Sequence, residues 1–180
     1  MTVIAEVRNR VDQASYLKVP TEDSSQYEFM GTGFKELNES PSAQTSSKKY
    51  INNRSATKSI TSYDWSTAFS LDQVRSEKII DFICRIGEEQ LTGADAESEY
   101  IIVSLDKKSS KANEFYARKI SVAIEVSSFE DNDGEMGASG NLLGKGDIEI
   151  GIFNTTTKEF TANPEAASLA RKNKALIEKA

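Results

Sequence analysis

A chain of 180 residues with 38% hydrophobic and 28% charged positions is one domain's worth of sequence, long enough to bury a core. Its 3 Pro and 10 Gly exclude collagen-like and Pro/Gly-rich disordered classes. No apolar run nears the ~20 residues of a membrane span, and Met1–Arg10 lacks a signal-peptide apolar region, so a soluble intracellular product, or one exported without a cleaved leader, is expected.

Histidine is absent and Cys84 is the single cysteine. That disfavours His-based acid–base and nucleophile pairs, structural zinc and disulfides. The apolar neighbours of Cys84 predict an inert buried thiol. Net charge is −6, spread as +1 over residues 1–60, −9 over 61–164 and +2 over 165–180. A nucleic-acid grip needs a basic face, so tight DNA or RNA binding is disfavoured, whereas passing alongside DNA without sticking is not.

In chain order, Thr2–Gln13 carries Val3, Val7 and Val11 on a helical stripe among charges. Tyr16–Val19 reads as a strand ended by Pro20, Thr21–Gln26 as a polar loop, and Tyr27–Met30 as a second strand before the bend residues Gly31 and Gly33. Asn38–Ser59 is polar for about twenty residues, with Tyr50 and Ile51 as its only anchors. Structureless segments of that length are uncommon; it is either a mobile surface loop or an arm that orders against a neighbouring subunit.

Ile60–Phe69 alternates as a half-buried strand with Tyr63, Trp65, Thr67 and Phe69 on one face, which makes Trp65 a core residue in preference to a ligand platform. Ser70 and Gln73 form an S-x-x-Q capping box that predicts a helix from Leu71 to a stop at Gly87, about 71–87. Its apolar stripe (Val74, Ile79, Ile80, Phe82, Ile83, Ile86) suits closing the open side of a sheet. Tyr100–Asp106, Arg118–Val126, Asp147–Phe153 and Glu159–Ala162 read as strands, separated by Lys107–Asn113, a long glycine-rich connection Ser127–Gly146, and the turn Asn154–Lys158. Glu165–Ala180 reads as an amphipathic terminal helix. The predicted class is α+β, mainly β: an antiparallel sandwich or partly closed barrel with one flanking helix.

Candidate chemistry is sparse. The run Glu130–Glu135 offers alternating carboxylates but no closing Glu for an EF-hand, leaving a solvated turn or a weak cation site. Gly144–Asp147 lacks phosphate-loop spacing and leads into a strand. Glu125 and Glu149 are the candidate glycosidase-type carboxylate pair, without an aromatic cleft beside them. Lys48–Lys49 with Tyr50 is too small a patch for nucleic-acid binding. No catalytic, metal or cofactor site is expected, and the chain is not expected to be an enzyme.

One series of segments carries a resemblance: Phe29–Phe34, Leu37–Thr45, Lys49–Asn52, Thr61–Tyr63, Gly93–Glu97, Ala117–Lys119 through Val126–Phe129, Ser139–Leu142, and Phe153–Thr157 through Thr161. In this order they resemble phage major tail tube proteins of the long non-contractile type from Gram-positive hosts, over roughly Tyr27–Ala162.

The resemblance implies a tube domain at 15–163 between an N-terminal arm (1–14) and a helical extension (164–180). It implies hexameric rings stacking into a DNA-carrying virion tail made in the bacterial cytoplasm. Partners would be other copies of the chain, a tape measure protein, a tail terminator and baseplate or distal tail proteins. It places Lys49, Tyr50, Ile51 and Asn52 of the 38–59 loop at the contact between rings. Small polar strand faces suit a hydrated lumen, with Ser121, Glu125 and Glu149 as lumen-facing candidates. Two alternatives stand beside it: the tube of a contractile tail or phage-tail-like bacteriocin, and a monomeric β-sandwich binding module for carbohydrate or cell wall.

Overall fold

The computed structural model describes residues 7–21, 25–166 and 168. Ten strands and one helix follow in order: β1 Gln13–Pro20, β2 Ser25–Phe29, β3 Phe34–Ser40, β4 Ala43–Lys48, β5 Thr57–Tyr63, β6 Ser66–Asp72, α1 Lys78–Glu88, β7 Glu97–Lys108, β8 Glu114–Asn132, β9 Glu135–Asn154 and β10 Glu159–Ala162. All pairing is antiparallel. Eight strands form one open sheet in the order β2-β1-β7-β8-β9-β6-β3, with β10 added to β9, and β4 pairs β5 in a separate two-stranded sheet.

Topology forces this sheet to curl. β2 and β3 lie at opposite edges of a seven-strand path, which would span roughly 29 Å if flat. Only residues 30–33 connect them, and four residues reach at most about 17 Å. The link ties both edges: Met30 N–H donates to Ser15 C=O at 2.8 Å, and Asp72 N–H to Gly33 C=O at 2.7 Å. Gly33 has φ +81°, and a Cβ there would come within 2.5 Å of Ile80 Cδ1, so the corner needs glycine.

Two apolar cores result. The larger joins the inward faces of β1, β6, β7, β8 and β9 to α1, through Leu17, Phe69, Leu71, Tyr100, Ile102, Ile120, Val122, Leu142 and the helix residues Ile79, Ile80, Ile83 and Ile86. The smaller sits on the other face, around Tyr16, Ile101, Val103, Ala117 and Phe153. Tyr16 and Phe153 meet with ring centroids 4.7 Å apart although two strands separate β1 from β9. β1 and β7 are therefore buried on both faces, which is why Tyr100–Val103 is continuously apolar instead of alternating.

Several expectations need correcting. The helix runs Lys78–Glu88, not 71–87: Leu71 is a fully buried β6 residue, so Ser70 and Gln73 cap nothing, and the Gln73 side chain donates instead to Gly137 C=O at 3.0 Å. Gly87 lies inside α1, where a Cβ would strike Val126 and Phe129 at 2.8 Å. The helix stops at Glu88, with Gln90 at φ +52° and Leu91 N–H closing on Ile86 C=O at 3.0 Å, a Schellman-type end without glycine.

Segment 38–59 is strand for most of its length. Ile60–Phe69 is two strands broken at Asp64–Trp65, and Tyr63 is exposed while Trp65, Thr67 and Phe69 are buried. Ser127–Gly146 is a hairpin: Asp133 (φ +54°) and Gly134 (φ +91°) form the two-residue turn that an Asp-Gly pair favours. At the termini, Arg10–Asp12 makes a single 3-10 turn, with Val7 and Val11 exposed. Val3 and, of the helix expected over Glu165–Ala180, residues 167 and 169–180 lie outside the described residues.

Candidate assembly surfaces

The β4–β5 hairpin extends the β3–β6 hairpin beyond Ser40 and Ser66, across a neck where Asp64 N–H donates to Ser42 C=O at 3.0 Å. Its polar, β-branched strands pair over Ala43↔Tyr63 to Lys48↔Thr57. Every β5 residue is exposed, as is every β4 residue except the half-buried Ser46. Two-stranded hairpins are marginal alone in water, so this arm is a sheet with both faces waiting for cover. Tyr50, Ile51, Ile60 and Tyr63 are exposed along it. Between Ser40 and Asp64 the sequence has Lys48, Lys49, Arg54 and Lys58 and no acidic residue. Lys49, Tyr50, Ile51 and Asn52 lie together at its distal turn, where Asn53 N–H donates to Tyr50 C=O at 3.0 Å. Ile60 and Tyr63 were missed as arm residues because strand alternation assigns Tyr63 to the core; the break at Asp64 was the available signal.

Ser121, Glu125 and Glu149 are exposed on the sheet face turned away from α1. Glu149 pairs across β8–β9 with Lys119, its carboxylate 2.6 Å from Nζ. Glu125 accepts from Asn141 Nδ2 at 2.8 Å. The two carboxylates are not brought together as a glycosidase pair would require: Glu125 lies six residues along β8 from Lys119, roughly 20 Å. The surrounding face is polar and mostly charge-balanced, with Glu97 bridged to Lys145 at 2.5 Å and Glu99 to Lys18 at 3.2 Å. Glu99 also accepts from the Tyr27 hydroxyl. Burial and that carboxylate push the Tyr27 hydroxyl well above its ordinary range, and although burial opposes charge on Glu99, the Tyr27 and Lys18 bonds hold it below the usual carboxylate value.

On the helix side, Glu39 of β3 reaches across the sheet to Arg118 of β8 in a two-toothed bond of 2.7 and 2.8 Å. It also accepts from Trp65 Nε1 at 2.8 Å. Burial works against the Glu39 charge, but the Arg118 and Trp65 bonds outweigh it and leave the carboxyl below its usual range. This tie between distant strands had no sequence signal, since only the curl brings the three residues together.

The acidic run Glu130–Glu135 is the end of the β8–β9 hairpin. Asp131 accepts from Gly134 N–H at 2.8 Å, and Glu130 accepts from Ser139 at 2.7 Å and Ser128 at 2.9 Å, which hold its carboxyl below the ordinary value. Phe129 and Met136 are exposed beside it. Gly146 (φ +79°) lies at the β9 irregularity opposite Lys119 and Ser121, so Gly144–Asp147 shapes a strand and not an anion cradle. Cys84 is fully buried, and burial raises its thiol pKa. Among the described residues no helix is long and apolar enough to cross a membrane.

No family model and no curated protein matches the chain. Among solved structures it is similar to a chain from one described as "Tail of empty GTA particle computed with helical refinement, C6 symmetry". The match has a TM-score of 0.54 and 13% identity, and spans 87% of this chain and 100% of that one. At that identity the likeness is one of fold: a mostly β, antiparallel, open eight-stranded sheet with one helix.

Proposed function

We propose that the chain is a structural subunit of a phage-type tail, assembling with copies of itself into six-fold rings that stack into a tube. The observation that carries this reading is the fold shared over the full length of a chain from a six-fold symmetric tail. Two features of this chain support it: an arm exposed on both faces, which suits a contact between rings through Lys49, Tyr50, Ile51 and Asn52, and a small-residue polar face bearing Ser121, Glu125 and Glu149, which suits a hydrated lumen that DNA crosses without adhering. On this reading the product belongs to the virion tail, its other partners are the tape measure, terminator and baseplate proteins, and it performs no catalysis.

The test is twofold. Static light scattering of the purified chain should rise from 19.8 kDa toward ring and multi-ring mass with concentration. Filter binding should show only weak DNA affinity at physiological salt, because a face whose carboxylates are largely paired with lysines offers little counterion release. Nanomolar DNA binding would refute the lumen assignment.

A further inference from the structure

The β4–β5 arm and the β8–β9 turn are opposite in charge and opposite in place. β6 runs from Ser66, beside Leu143, to Asp72, beside Gly137. The arm leaves the sheet at the Ser66 end, and the β8–β9 turn at Asp133–Gly134 projects past the Asp72 end. One pole thus carries Lys48, Lys49, Arg54 and Lys58; the other carries Glu130, Asp131, Asp133 and Glu135. Among the described residues none of these eight side chains joins an ion pair.

Elsewhere ten carboxylates are ion-paired, among them Glu97, Glu99 and Glu149 with lysines and Asp81 and Glu88 with Arg75. Both poles also expose apolar side chains. The arm has Tyr50, Ile51, Ile60 and Tyr63, and the turn has Phe129 and Met136, which are 39% and 53% exposed. Cation against carboxylate and apolar against apolar make the two poles complementary.

Resting on the reading of the chain as a self-assembling subunit, we propose that the arm of one copy docks on the β8–β9 pole of a second copy. Its cations meet the Glu130–Glu135 carboxylates, and its Tyr and Ile side chains cover Phe129 and Met136. Arm-to-arm pairing is disfavoured because it would juxtapose like charges. The contact joins two different surfaces at opposite ends of the strands, so it is heterologous and propagates along the strand direction instead of closing as a dimer. Its charged part weakens as salt shortens the Debye length below ~10 Å.

Three variants of the full chain test this. The arm variant is K48E/K49E/R54E/K58E. The pole variant is E130K/D131N/D133N/E135K, in which asparagine keeps the turn's acceptor at 131 and suits the positive φ at 133. The third combines both sets. Sedimentation velocity follows assembly and circular dichroism follows the fold.

Each single-pole variant is expected to keep the wild-type spectrum and to raise the concentration needed for assembly at least about tenfold. A 1:1 mixture of the two should associate where neither does alone, and the combined variant should recover assembly. Wild-type assembly together with an undiminished pole variant, or with a folded combined variant that does not recover, overturns the docking proposal and leaves the tail reading standing. A wild-type chain that stays monomeric at every concentration and salt overturns both.

Discussion

Glu39 shows how much of the fold hangs on single side chains that the curl brings together. It stands on an edge strand, yet its carboxylate holds Arg118 three strands away and the Trp65 indole. Glu39→Gln removes the charge that satisfies a half-buried guanidinium, and a loss of about 2–3 kcal/mol is expected from denaturant unfolding. Because the folded carboxyl titrates below its ordinary value, its contribution is fully present above about pH 4.3 and is lost as pH falls through the lower folded value. The wild-type stability curve should therefore drop on its acid side, and the Gln variant should show a shallower acid limb. An identical acid limb in the two would mean the Arg118 bond contributes nothing in solution.

At the scale of elements, the neck at Ser42–Asp64 marks where the body ends. Replacing residues 43–63 with Asn-Gly leaves β3 and β6 paired and closes the neck with a two-residue turn. The expected product is a chain with wild-type unfolding cooperativity that no longer stacks; long tubes from this variant would remove the arm from assembly. β8 from Arg118 is legible in sequence because its burial follows local alternation. The Ile148–Phe153 end of β9 is a strand as expected, but its isoleucine face is not the buried one, since Ile148 is exposed while Gly151 and Phe153 are buried. The continuous apolar run of β7 was equally clear, because burial on both faces leaves no polar positions.

What misled was local chemistry overridden by tertiary pairing. Ser70 and Gln73 have cap spacing, but Leu71 is worth more in the sheet's core than in a first helical turn. The arm stands out in the sequence as a long polar segment, but its strands β4 and β5 do not, because they are polar on both faces and carry no periodic signal. The β8–β9 hairpin was legible in principle from Asp133–Gly134, whose turn preference was hidden by four further glycines before Asp147. The assembly residues followed the same divide. Tyr50 and Ile51 stand out as apolar residues in polar sequence, whereas alternation assigns Tyr63 to the core and Phe129 and Met136 sit in a stretch that reads as a connection, so nothing in the sequence marks these three as exposed strand residues.

At the scale of the molecule, the body is complete in itself: two cores and a helix cover the curled sheet, and link 30–33 joins its edges. Its poles carry a basic arm with no body behind it and an acidic turn with exposed Phe129 and Met136. Of the aromatic residues on the Ile60–Phe69 face, Trp65 and Phe69 are buried and Tyr63 is exposed on the arm. The most direct test of the tail reading is negative-stain electron microscopy of the purified chain across a concentration series. Hollow rings or stacked tubes with six-fold end views are the expected result. Dispersed single particles of 19.8 kDa at every concentration, or assemblies without a central channel, would contradict it.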